Sequence, residues 1–194
     1  MAFRRHVAVL ASLVVFAGST EALRAQQEPD EAAVRRAIAD LIASGAAKPA
    51  RPIVIREVTG CYPGAGDDAG RFLCLVSVTG PGGEAGVQPI ALERQASAGW
   101  KAVPSMVPTP ACPSKAVAEP LFQQRMGASA KVTDAPNADD GVFTDERGLS
   151  RDRKGPMRLM CAFEVTGGLG PSTVVAYFTY KNGKYGLDAD YEMH

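Results

Sequence analysis

Histidine is the side chain most often asked to move a proton near neutral pH, and this chain has two, His6 and His194, at its extreme ends. Neither is placed to be oriented by a second group and to activate a third, so Ser-His-Asp and Cys-His chemistry is not expected. A glycosidase-type pair of carboxylates needs no histidine, and Glu57, Asp67, Asp68, Glu164 and Asp188 are the candidates. Several fall in turns or on an expected solvent face, where acids are ordinarily just hydrated. Asp134, Asn137, Asp139, Asp140 and Asp145 carry oxygen ligands of the kind calcium takes. Gly141 does not fall where a standard calcium loop needs its glycine, so an exposed loop is expected. PGGEAG at 81–86 lacks the Gly-Lys-Ser/Thr that a phosphate-binding loop requires and reads as a hairpin turn. No catalytic residue, cofactor or metal site is expected.

The four cysteines, Cys61, Cys74, Cys112 and Cys161, are an even set without a C-x-x-C pair. Two disulfides are the expected use in an exported chain. The preferred pairing is Cys61–Cys74 and Cys112–Cys161. The competing one joins Cys74 to Cys161 and leaves Cys61 to Cys112.

Export is read from the first 25 residues. Arg4, Arg5 and His6 precede the apolar run VAVLASLVVFAG at 7–18, and an alanine-rich exit follows to Ala25. That is the layout of a signal peptide, and the run is short for a membrane span. No cysteine follows the run for lipid attachment. Cleavage near Ala25 would turn a chain of zero net charge slightly acidic by removing three arginines and one glutamate. A periplasmic or secreted protein is expected, without stable membrane insertion after cleavage. The balanced charge also points away from nucleic acid.

These residues must be positioned by regular elements, and one signal organises them. RFLCLVSVTG at 71–80 and RLMCAFEVTG at 158–167 match at five of ten positions. Each alternates apolar residues at period two, Phe72, Cys74, Val76 and Val78 in the first and Leu159, Cys161, Phe163 and Val165 in the second. Each is followed by a Gly/Pro-rich turn and further strands. Apolar spacing predicts helices over 30–44, with Pro29 at its first turn, and over 114–126, despite Pro120. Strands are expected at 53–59, 71–79, 87–96, 100–103, near 141–146, and at 157–166, 172–181 and 184–192. The turn between the last two is Asn182-Gly183. Residues 61–70 are expected as turn, and 127–156 as the least structured stretch.

The fold class expected is α+β, with two tandem helix-plus-antiparallel-sheet units. After the leader at 1–25, the first repeat covers 26–104, a proline-rich linker 105–113 and the second repeat 114–194. This element order resembles the cystatin-like and nuclear-transport-factor-like (NTF2-like) arrangements, in which a sheet curls around a helix. The resemblance covers element order alone and implies no site residues.

The function expected is an exported, non-enzymatic protein that binds another macromolecule as inhibitor, scaffold or envelope accessory factor. The alternative is a small-molecule binder with a pocket between curved sheet and helix. The candidate contacts with a protein partner are the basic residues Arg151, Arg153 and Lys154 and the aromatic Tyr180.

Overall fold

The computed structural model describes residues 27–45, 54–79, 85–97, 99–137, 140–145, 157–167 and 170–193. The leader expected at 1–25 lies outside them, as do Arg151, Arg153 and Lys154.

The first half opens with helix α1 (Glu31–Ala43). Asp30 caps it, its side chain accepting from the Ala33 N–H at 2.7 Å, and Glu31 adds negative charge at the positive helix end. Pro29 therefore stands outside the helix, one residue before the cap. Val34, Ala37 and Ile38 form the buried stripe. A four-stranded antiparallel sheet follows in the order β1 (Val54–Pro63), β2 (Phe72–Thr79), β3 (Ala85–Arg94), β4 (Trp100–Val103). Helix α1 packs against β4 and also touches β1. A register shift between Ile55 and Glu57 interrupts the β1–β2 ladder. Arg35 of α1 reaches the irregularity, donating to the carbonyls of Ile55 and Arg56 at 2.9 Å each. It thereby satisfies acceptors beside the break in the ladder.

The second half likewise has one helix and one antiparallel sheet. Helix α2 (Lys115–Met126) precedes a five-stranded sheet in which β5 (Lys131–Asp134) and β6 (Val142–Asp145) both pair with β7 (Met157–Gly167). β7 pairs with β8 (Gly170–Lys181), and β8 with β9 (Lys184–Met193). Asn182 and Gly183 both take positive φ, 53° and 77°, as a two-residue hairpin turn of the favoured hand requires. Pro120 is accommodated inside α2. Glu119 and Gln123 tie that helix to the chain entering β5, through the Val132 N–H at 3.0 Å and the Ala130 carbonyl at 3.1 Å.

The fold is thus α+β, two helices with two antiparallel sheets of four and five strands. Three details differ from the sequence reading. β1 runs on through Cys61, Tyr62 and Pro63, which were expected in a turn, because all three pair with β2. β5 was not expected; only Val132 of its four residues is buried, so its pattern is nearly silent. β2 is buried on both faces from Phe72 to Val76, so Leu73 and Leu75 are as enclosed as the expected set. The alternation expected in β7 is present at Leu159, Cys161, Phe163 and Val165.

One apolar cluster draws on both halves, from Val34, Phe72 and Leu92 to Phe122, Phe163 and Phe178. An aromatic row crosses between the sheets. Trp100 meets Phe72 at 5.6 Å, Phe72 meets Tyr180 at 6.1 Å, and Tyr180 meets Tyr185 at 4.9 Å, each measured between ring centroids. Burial pushes the Tyr62 hydroxyl up to about 12 and also raises those of Tyr185 and Tyr180. A phenol raised by burial contributes stability that is complete below its ordinary value near 10 and is lost as pH climbs through the folded value. Tyrosinate absorbance should accordingly show Tyr62 and Tyr185 still protonated at pH 11 in the native protein and ionising normally in urea. Simultaneous ionisation of all five tyrosines near pH 10 without unfolding would contradict the buried row.

Candidate functional site

The two halves meet along the proline-rich segment. Its base is pinned from several directions. Pro110 forms an antiparallel bridge with Gly64, the Ala65 N–H donates to the Thr109 carbonyl, and the Ala111 N–H donates to the Pro63 carbonyl, the last two at 2.8 Å. Tyr185 of β9 donates its hydroxyl to the Ala111 carbonyl at 2.8 Å. Cys112 bonds Cys161 on β7. Gly141 packs so closely on the Pro110 carbonyl that a Cβ there would overlap it. That close approach leaves room for glycine and for no larger residue. The segment expected as a linker is a strap fastened to both sheets.

The other bridge is Cys61–Cys74, between residues directly opposite on β1 and β2. The connectivity is the one preferred from the sequence. It closes the turn that carries Asp68, which is 1% exposed and is the buried charged residue among those described. Asp68 Oδ1 accepts from Arg71 at 3.1 Å. Its Oδ2 accepts from the Ser105 hydroxyl at 2.9 Å and from the Thr109 N–H at 3.3 Å. Gly64 lets this turn fold onto itself, since a Cβ there would strike the Asp68 backbone.

Between those two anchored residues the chain turns outward. Met106 is 98% exposed and Val107 is 76% exposed. The Thr109 hydroxyl donates to the Val107 carbonyl at 3.1 Å, fixing the far side of the tip. Pro104, Pro108 and Pro110 restrict the backbone on both flanks. Two large apolar side chains are therefore held out on a short braced loop.

The other candidates fall elsewhere. Tyr180 is 9% exposed and packs between Phe72 and Tyr185, so its ring serves the core. Glu164 accepts from the Thr173 hydroxyl at 2.6 Å and Asp188 pairs with Arg158 at 2.9 Å, while Glu57 and Asp67 are exposed. These acids stand on different elements, Glu164 and Asp188 in bonds that hold neighbouring strands together. Asp134 and Asp140 accept from nearby backbone N–H groups. Among the described residues no group of three or more His, Cys, Asp or Glu side chains is placed to hold a metal.

An open groove of about 1020 Å³ lies between α1 and the end of the β3–β4 hairpin. Arg36 and Asp40 line its helix side, and Arg94, Trp100 and Lys101 its strand side. The Arg94 guanidinium lies 5.6 Å from the Trp100 ring centre.

Met106 is not among the residues expected from the sequence, and Asp68 is expected only as one of several acids. The available signal was an apolar pair flanked by prolines in a stretch without a charged residue from 102 to 114. No family model, curated protein or solved structure matches the chain. Two disulfides fit an extracellular or periplasmic protein. Among the described residues no helix is long and apolar enough to cross a membrane.

Proposed function

We propose that this is an exported, non-enzymatic protein that binds another protein, and that the contact is the loop at 104–110. The observation that carries the reading is the Met106–Val107 tip, exposed to solvent while Asp68 holds Ser105 and Thr109 on either side of it. Exposed apolar side chains on a rigid support mark interaction sites. A loop already ordered loses little conformational entropy on docking. The apolar core common to the two halves does not take in Met106 or Val107, which further supports a surface role for them.

A photo-reactive methionine analogue at position 106, introduced into the exported protein in its native compartment, tests this. A discrete protein adduct is expected, absent when the analogue is placed at exposed Thr179 on β8. Adducts equally abundant from both positions, or from neither, would overturn it. The groove beside Trp100 favours a second reading, a small-molecule binder with its site between helix and sheet.

A further inference from the structure

Resting on that reading, we infer that the loop at 104–110 enters the cleft of an endopeptidase with an apolar primary pocket, Met106 filling the pocket, and inhibits it. Four observations lead there. The tip is two exposed residues, Met106 and Val107, standing out between Ser105 and Thr109, which Asp68 holds, so its complement is a cleft. It has no free end, which matches an endopeptidase and not an exopeptidase. Met106 is unbranched, exposed along its whole length and flanked by small Ser105 and β-branched Val107, so one side chain leads into the pocket. The bonds of the loop use Ser105 Oγ, the Val107 carbonyl, Thr109 and Pro110, and none among the described residues engages the Met106 carbonyl or N–H. Those two groups are the ones a peptidase must grip, the carbonyl in its oxyanion hole.

The brace explains inhibition in place of consumption. A serine hydroxyl that attacks the Met106 carbonyl breaks the Met106–Val107 bond. The ester forms on Met106, and the hydroxyl proton ends on the Val107 amine. Asp68 still holds Ser105 on one side and Thr109 on the other with a single oxygen. The new amine stays beside the ester and attacks it, the serine recovers its proton, and the chain leaves intact. Entropy that normally carries away a leaving group is withheld.

A lipid surface is the less favoured partner. Two apolar side chains anchor weakly, and stable anchoring takes a second signal such as a basic patch. The loop carries no charge between Lys101 and Lys115.

The test is inhibition by the purified chain of subtilisin and chymotrypsin, whose primary pockets are apolar, and of trypsin, whose pocket is acidic. Competitive inhibition of at least one of the first two is expected, retained by Met106→Leu. Met106→Lys should lose at least about 30-fold against it, the smallest effect of a dominant interface residue, and gain inhibition of trypsin. Met106 is solvent-exposed, so these variants should melt with the parent protein, which circular dichroism verifies. No inhibition of either apolar-pocket enzyme, or equal inhibition by Met106→Lys, would overturn the inference. So would Met106-dependent sedimentation with anionic phospholipid vesicles. Failure here is separable from failure of the binding reading. A position-106 adduct with a protein that is not a peptidase removes the inhibitor and keeps the partner, whereas absence of any adduct removes the partner as well.

Discussion

Replacing Asp68 with alanine is expected to lower folding stability by about 3 kcal/mol, the low end for breaking a buried charge pair, because Arg71 keeps partial access to water. The cost has three sources. Arg71 loses its partner, the Ser105 hydroxyl and the Thr109 N–H lose their acceptor, and a void replaces the carboxylate. A single hydrogen bond contributes about 1 kcal/mol, so Ser105→Ala should cost about that much alone. Combined with Asp68→Ala it should cost almost nothing further, since both changes delete one contact. Urea unfolding followed by circular dichroism measures all three proteins. A loss below about 1 kcal/mol for Asp68→Ala would mean that the carboxylate does not hold the loop. Asp68→Asn keeps an acceptor for Ser105 and should fall between alanine and the parent.

The second large effect belongs to the disulfides, which should differ in a definite order. Cys112–Cys161 spans 49 residues and Cys61–Cys74 spans 13. If the bridges act chiefly by restricting the unfolded chain, removal as paired alanines should cost about 4 kcal/mol for the longer loop and about 3 kcal/mol for the shorter. The longer bridge also fastens the strap to β7, so its loss should reach the tip at Met106. Hydrogen exchange on the Thr109 and Ala111 amides should speed up in Cys112→Ala/Cys161→Ala. Cys61→Ala/Cys74→Ala disturbs the turn that presents Asp68 and should affect Thr109 more than Ala111. Equal or inverted stabilities would show that native-state packing, not chain entropy, dominates.

Much of the frame was legible in the residues. The four cysteines, the Asn182-Gly183 turn and the two-fold alternation of β7 each have a local cause, and each has its expected place in the structure. Helix α1 was readable from the spacing of Val34, Ile38, Leu41 and Ile42, of which Val34 and Ile38 are buried, whereas Asp30 stands at its cap and not inside it. What escaped depends on partners distant in sequence. β5 exists because Lys131 and Val132 meet Thr166 and Val165, and its own residues are too exposed to show a period. Asp68 looks like any acid in a Gly-rich turn until Ser105 and Thr109 arrive from 37 and 41 positions away. The prolines at 104–113 suggested separation, because proline interrupts ladders. Here they stiffen a segment whose base, from Thr109 to Ala111, is bonded to the chain at the end of β1 and to Tyr185 of β9. Residue type alone makes Tyr180 a candidate contact, and its packing against Phe72 of the other sheet depends on a partner 108 positions away.

The placement of the disulfides has one more consequence. Cys61–Cys74 lies wholly before Met106, and Cys112–Cys161 wholly after it. No covalent bond other than the backbone crosses the tip. A chain cut between Met106 and Val107 would thus be two separate molecules, gripping each other through Asp68, the Gly64–Pro110 bridge and the common core. On a denaturing gel without reductant the cut form resolves into two bands, while under native conditions it migrates as one. Permanence at the tip is a matter of fit alone, which makes a single severed bond both easy to conceal and easy to mend.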